Sequence, residues 1–216
     1  FLIIFFFSVL LFQHSWVEGF FHDGYLYAEL GKNAAGGLWL VPHLNNAVYS
    51  EFFHHLPFVF ILEGLFFKLF GASFVTARIF AGIFSLLTLI VLIDWVKKEK
   101  GDKLAWLTGI MLTITLPLIK KSRFPNLDLP LMLFVLLSLK YYFKKAWYLC
   151  GIFFGLSLLT KGPIGLFIPL IILSHLIMTK KISILKPIKP WLGLGLGFLI
   201  FGIWPLINAE SVRIWS

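Results

Sequence analysis

The chain has 216 residues, of which 59% are hydrophobic and only 13% charged, and its mean hydropathy is +0.91. Soluble domains of this size carry roughly a quarter charged residues, so a soluble fold is excluded. A formal charge of +9 suggests nucleic acid until the lysines are placed; most sit in short connectors between apolar runs, which is a membrane topology signal, and nucleic acid is set aside.

In chain order, seven stretches are predicted to cross a bilayer, at about 1–17, 79–96, 104–119, 129–143, 146–160, 163–178 and 190–207. Several are shorter than the ~20 residues a span needs, so their basic and aromatic ends are expected to snorkel. The first could pass for a signal-peptide core, but it has no basic n-region and no small-residue cleavage site, and a truncated first span fits better. A chain that opens on Phe1 without Met and stops at Ser216 after an apolar run reads as truncated at both ends. The expectation is an all-α integral membrane protein with one polytopic domain over 1–216. Cys150 lies inside an apolar run as the single cysteine, so no internal disulfide forms.

Lys97, Lys98, Lys100 and Lys103 form one connector cluster, Lys140, Lys144 and Lys145 a second, and Lys180, Lys181, Lys186 and Lys189 a third; together they hold more than half of the 19 Lys and Arg. If the spans alternate, all three clusters face one side, which the positive-inside rule makes cytoplasmic. The apolar run 56–70 tests this reading. It is short, carries Glu63 near its middle, and as an eighth span would put two lysine clusters outside, so it is expected to lie at the membrane surface or pack partly into the bundle, and to end at Gly71. Residues 18–78 then form a long, structured first extracytoplasmic loop, and such loops are usually functional. Within it, Asp23 to Ala35 is predicted as a short helix with Leu26, Tyr27, Leu30 and Ala34 on one face and Gly36-Gly37 at its end. In the last span, Gly193, Gly195 and Gly197 suggest close helix packing rather than phosphate binding.

The remaining charges gather on the outer side: Asp23 after the first span, Lys120, Lys121, Arg123 and Asp128 after the third, and Lys161 in Thr160-Lys161-Gly162-Pro163. Basic groups at membrane depth, opposed to the topology rule, need a carboxylate or a lipid phosphate. Structural roles compete with functional ones. Asp23 has the character of an N-cap, Asp128 before Pro130 starts a helix, an Arg123–Asp128 pair would satisfy both residues, and Lys161 would serve as a headgroup anchor. His43, His54 and His55 share the long loop, yet their spacing matches no common ligand pattern, and no metal site is assigned.

The stretch HDGYLYAELGKNAAGGLWLVPHLNN resembles the first-loop motif of the GT-C membrane glycosyltransferases, in the branch of the protein O-mannosyltransferases and lipid A aminoarabinose transferases. The matching residues are Asp23, Tyr27-Ala28, Trp39, Pro42, Tyr49, Pro57 and Lys68-Leu69-Phe70-Gly71, then Arg123, Asp128, Pro130 and Leu131, then LLTKGPIGL at 158–166. Two positions depart. Gly24 replaces a second acid, and His55-Leu56-Pro57 stands where the family has Lys-Pro-Pro.

The resemblance implies an inverting enzyme of the cytoplasmic membrane, with its site on the extracytoplasmic face. It would move a sugar from a polyprenyl-phosphate donor to a lipid, glycan or protein acceptor. Asp23 would be the general base, and Lys161, Arg123, Lys120, Lys121 and His55 would face the donor phosphate, with Asp128, Tyr27, Trp39 and Tyr49 supporting. Membrane lipids, the donor and the acceptor are the implied partners; no cofactor is assigned and a divalent metal is left open. The rival readings are a lipid-linked-sugar transporter or flippase, for which the repeated halves of many transporters are missing, and an inactive subunit that keeps the scaffold.

Overall fold

A computed structural model describes residues 2–13, 15–37, 41–44, 51–52 and 54–207, and every regular element among them is helical. Contacts divide the chain into two compact units, Phe1–Phe52 with Pro57–Leu133 and Phe53–Leu56 with Phe134–Ser216.

The first unit holds α1 (Leu2–Phe12), α2 (His22–Ala35), α3 (Phe58–Phe70), α4 (Phe74–Lys100), α5 (Asp102–Thr113), α6 (Leu116–Lys121) and the start of α7 (Asp128–Phe143). The predicted loop helix is α2, which ends at Gly36 and buries Leu30 and Ala34. Small residues bring α2 and α3 together: a Cβ at Gly31 would lie 2.8 Å from Cγ of Glu63, and one at Gly64 would lie 2.9 Å from the Gly31 carbonyl. The Glu63 side chain therefore lies over Gly31, away from water. As expected, α3 stops at Gly71, whose φ of +81° favours glycine.

Ser73 and Thr76 then open α4 with a reciprocal capping box, Ser73 Oγ accepting from the Thr76 amide at 3.2 Å and Thr76 Oγ1 from the Ser73 amide at 2.9 Å. At 27 residues α4 outreaches a hydrocarbon core of about 30 Å. The chain reverses at Gly101, and α5 returns along α4 with Gly109 against Ile93. Phe12 of α1 packs on Gly82, and Ile3 on Gly109.

The second unit is built on α8 (Trp147–Lys161), α9 (Phe167–Met178) and α10 (Ile188–Ile207). A short 3₁₀ turn over Gly162–Leu166 joins α8 to α9. Phe154 and Leu158 in the second half of α8 share a core cluster with Ile168 near the start of α9, while Cys150 near the start of α8 shares one with Leu176 near the end of α9. Partners therefore climb one helix as they descend the other, so α8 and α9 are antiparallel arms. The α8–α10 contact is a backbone approach through glycine: Gly151 faces the Gly193 carbonyl, and a Cβ at Gly155 would lie 2.7 Å from that of Gly197. Of the three glycines in the predicted stripe, Gly193 and Gly197 serve this contact, while Gly195 faces open space.

Helices form at all seven expected stretches. By length and apolarity, Phe74–Lys100, Trp147–Met178 and Ile188–Leu206 qualify as spans, and the middle one is the doubled-back α8–α9 pair. The arms of 15 and 12 residues reach only about 22 and 18 Å, so the expected seven crossings are not reached by length alone.

Candidate active site

Asp23 is the second residue of α2 and is exposed. The N-cap is Phe21, which has no side chain able to accept, so Asp23 is not the capping residue proposed as its structural role. Its carboxylate stands in the first turn of the helix. One turn on, the Tyr27 phenol is pushed up by burial and further by the Asp23 charge, and its ring lies 5.7 Å from that of Phe60.

Gly24 explains a departure from the motif. A Cβ there would lie 2.9 Å from Cβ of Phe20 and 3.1 Å from Cβ of Phe124. In this chain the position is a packing contact, and an acidic side chain has no room. The same contact, with the Phe21 and Phe124 rings 6.0 Å apart, seats the start of α2 on the turn that carries Arg123.

That turn is rigid. Asn126 donates to the Lys121 and Phe124 carbonyls at 2.7 and 2.8 Å and accepts from the Leu129 amide at 3.1 Å, closing the turn and starting α7. Ser122 Oγ donates to the Leu118 carbonyl at 2.6 Å and meets Ser85 Oγ at 2.5 Å. Arg123 is half-buried, and its guanidinium donates to the Leu10 carbonyl at 3.0 Å. The ion pair formed by Asp128 is with Lys121, not the expected one with Arg123; Lys120 is exposed nearby.

Arg78, which the sequence reading passed over, ties these pieces together. It donates to the carbonyls of Ser15, Val17, Gly19 and Arg123 and lies 5.1 Å from the centre of the Phe20 ring. A lone arginine in the first turns of an apolar helix was the available signal.

The second unit carries the other expected residues. Lys161 ends α8, half-buried, before Gly162 at φ +56°. Residues 53–56 group with this unit, so half-buried His55 belongs to it as well. Trp39 and Tyr49 lie outside the described residues. No group of three or more His, Cys, Asp or Glu stands ready to hold a metal among the described residues. Exposed carboxylate, basic turn and backbone-anchoring arginine thus share the first unit.

A profile of the dolichyl-phosphate-mannose-protein mannosyltransferases matches residues 54–204. The chain belongs to this family. It is a GT-C membrane protein, as the motifs anticipated. The matched range includes Arg123, Asp128 and Lys161, while Asp23 precedes it. An uncharacterized protein of Aquifex aeolicus (strain VF5) is 27% identical over 188 residues, covering 82% of this chain and 37% of the relative. The structure of ArnT from Cupriavidus metallidurans in the apo state matches with a TM-score of 0.83 at 21% identity, over 97% of this chain and 42% of that one. The same protein bound to undecaprenyl phosphate matches at 0.76 and 20% identity, with the same coverage. At such identity the likeness is one of fold. The chain spans about two fifths of the length of these relatives.

Proposed function

We propose that this chain forms the membrane-embedded catalytic part of an inverting glycosyltransferase that takes its sugar from a polyprenyl-phosphate donor on the extracytoplasmic face of the cytoplasmic membrane. The observation carrying this reading is the exposed Asp23 carboxylate on a helix start seated against Phe124, next to the basic run of Lys120, Lys121 and Arg123. The acceptor hydroxyl gives its proton to Asp23 as its oxygen attacks the anomeric carbon. The bond from that carbon to the phosphate oxygen breaks on the opposite face, and the electron pair leaves with the lipid phosphate. Fixed cations stabilise that growing charge more in the transition state than in the ground state. Lys120 and Arg123 are assigned this role on the first unit, with Lys121 held by Asp128, and Lys161 and His55 on the second. That ArnT is captured with undecaprenyl phosphate supports a lipid phosphate as the donor's carrier. Tyr27, Trp39 and Tyr49 are assigned supporting roles, as the resemblance implies, and the acceptor is a lipid, glycan or protein.

The test is transfer by the full-length protein from defined polyprenyl-phosphate sugars, with the product detected by mass, in the presence and absence of a chelator. Asp23→Asn is expected to lower transfer by about 10²–10⁴-fold with membrane insertion intact. Wild-type rates in that variant would remove Asp23 from the mechanism.

A further inference from the structure

The second unit contains an apolar groove that the proposed reaction does not use. It has a volume of about 210 Å³ and is walled by Trp147 and Phe154 of α8, Ile172 and Leu176 of α9, and Trp191 and Leu194 of α10. None of its lining residues is charged. Two of the polar side-chain atoms along its wall are engaged elsewhere: the Trp191 indole N–H donates to the Leu185 carbonyl at 2.8 Å, and Cys150 meets Ser138 Oγ at 3.4 Å. What enters it must be hydrocarbon.

The mouth has the opposite character. Lys144 and Lys145 precede Trp147, Lys180 and Lys181 follow α9, and Lys186 and Lys189 flank the Leu185 and Pro190 parts of the lining. No Asp or Glu occurs anywhere from Phe134 to Ile207. A topology signal alone does not require this. In the first unit, the connector lysines have carboxylates built in beside them, Lys97 with Asp102 and Lys98 with Asp94, both at 2.7 Å.

Two of the mouth lysines also occupy the residue position where glycine is the default. α7 ends with the Lys145 amide bonded to the Tyr142 carbonyl and the Ala146 amide to that of Tyr141, and α9 ends the same way through Lys180 and Lys181. Lys145 and Lys180 sit at φ +54° and +55°, left-handed backbone that disfavours any Cβ. Glycine at either place would relax the turn; lysine keeps a charge at the groove mouth.

We propose that this groove binds an anionic phospholipid, one acyl chain lying between α8, α9 and α10 and the phosphate held by the lysines at its mouth. Hydrocarbon walls, flanked by turns that carry six lysines in a stretch of chain without Asp or Glu, match a lipid with a negative headgroup.

The test uses the full-length protein in nanodiscs of phosphatidylcholine with or without phosphatidylglycerol, lipid retention being read by native mass spectrometry. The wild type is expected to keep phosphatidylglycerol at least tenfold over phosphatidylcholine through delipidation. The double variant Lys145→Gly with Lys180→Gly is expected to lose most of that preference while its unfolding midpoint in pure phosphatidylcholine does not fall. Leu173→Trp, which fills the groove and leaves every lysine in place, is expected to lose retention too. Bromine-labelled acyl chains on phosphatidylglycerol supply a reading on the unaltered chain: quenching that disappears in Trp147→Phe with Trp191→Phe places the chain in the groove. Equal retention of the two lipids overturns the proposal. So does retention indifferent to Leu173→Trp together with unquenched Trp147 and Trp191, which means headgroup adsorption alone. Absence of any retained lipid overturns it as well, the groove then being covered by another part of the full-length chain.

Discussion

Glu63 is a carboxyl group shut inside a helix pair. It is 1% exposed, and its Oε1 has no hydrogen-bond partner among the described residues. Burial holds its pKa well above the ordinary carboxylate range, so the folded chain keeps a proton that the unfolded chain gives up. Stability is then greatest below the unfolded pKa and falls as pH rises from there through the raised folded value. Unfolding midpoints in detergent from pH 4 to 8 should therefore decline for the wild type and stay flatter for Glu63→Gln, with the variant the more stable at pH 8. A flat wild-type profile would contradict this. Gly24 gives a second expectation at this scale. On an open helix, Gly→Ala gains about 1 kcal/mol; here the added Cβ meets Phe20 and Phe124, and Gly24→Ala is expected to destabilise by about 1–3 kcal/mol in a denaturant titration. Asp23, Arg123, Asp128 and Lys161 stood out in the sequence through the motifs they match, and their roles belong to the proposed function. Arg78 and Asn126 were not. Their main partners are backbone carbonyls and amides, which leave no side-chain signature.

Among the elements, two glycines of α10 differ in what a methyl group would meet. Gly193 abuts the Trp147 carbonyl, whereas Gly195, two residues on, has nothing within 4 Å. Gly193→Ala is expected to lower stability by about 1–3 kcal/mol, and Gly195→Ala to leave it unchanged or slightly raised, as read from paired thermal unfolding curves. Equal effects would mean that α8 and α10 do not meet through this face. Hydropathy revealed where the helices run because a lipid-facing helix is apolar around most of its surface. The same uniformity hid which face meets a neighbour, so the glycine stripe was recognised as a contact but its register was not. Helix ends were easier: Gly36 and Gly71 closed α2 and α3 where the sequence placed them. The partner of Asp128 was harder, since both Lys121 and Arg123 lie within reach along the chain and only the fold of the turn sends Arg123 toward Leu10.

For the whole molecule, composition alone established a membrane protein, and the family match agrees with the order of motifs. Span number was less accessible, because helices of 12 to 16 residues such as α5, α7, α8 and α9 fall below the length at which hydropathy speaks clearly. The acid-free stretch from Phe134 to Ile207 also bears on how the chain enters the membrane. The antiparallel arms bring the turns after α7 and α9 to one end, so Lys144, Lys145, Lys180, Lys181, Lys186 and Lys189 share a side and no carboxylate among them offsets their charge. Each charge carried across the bilayer against the voltage requires about 2.3 kcal/mol per 100 mV. Turning this segment over would move the six together, at a cost on the order of 14 kcal/mol per 100 mV. In a membrane held negative on one face, that cost favours the orientation that leaves these lysines on the negative side, and dissipating the potential is expected to weaken the preference during insertion.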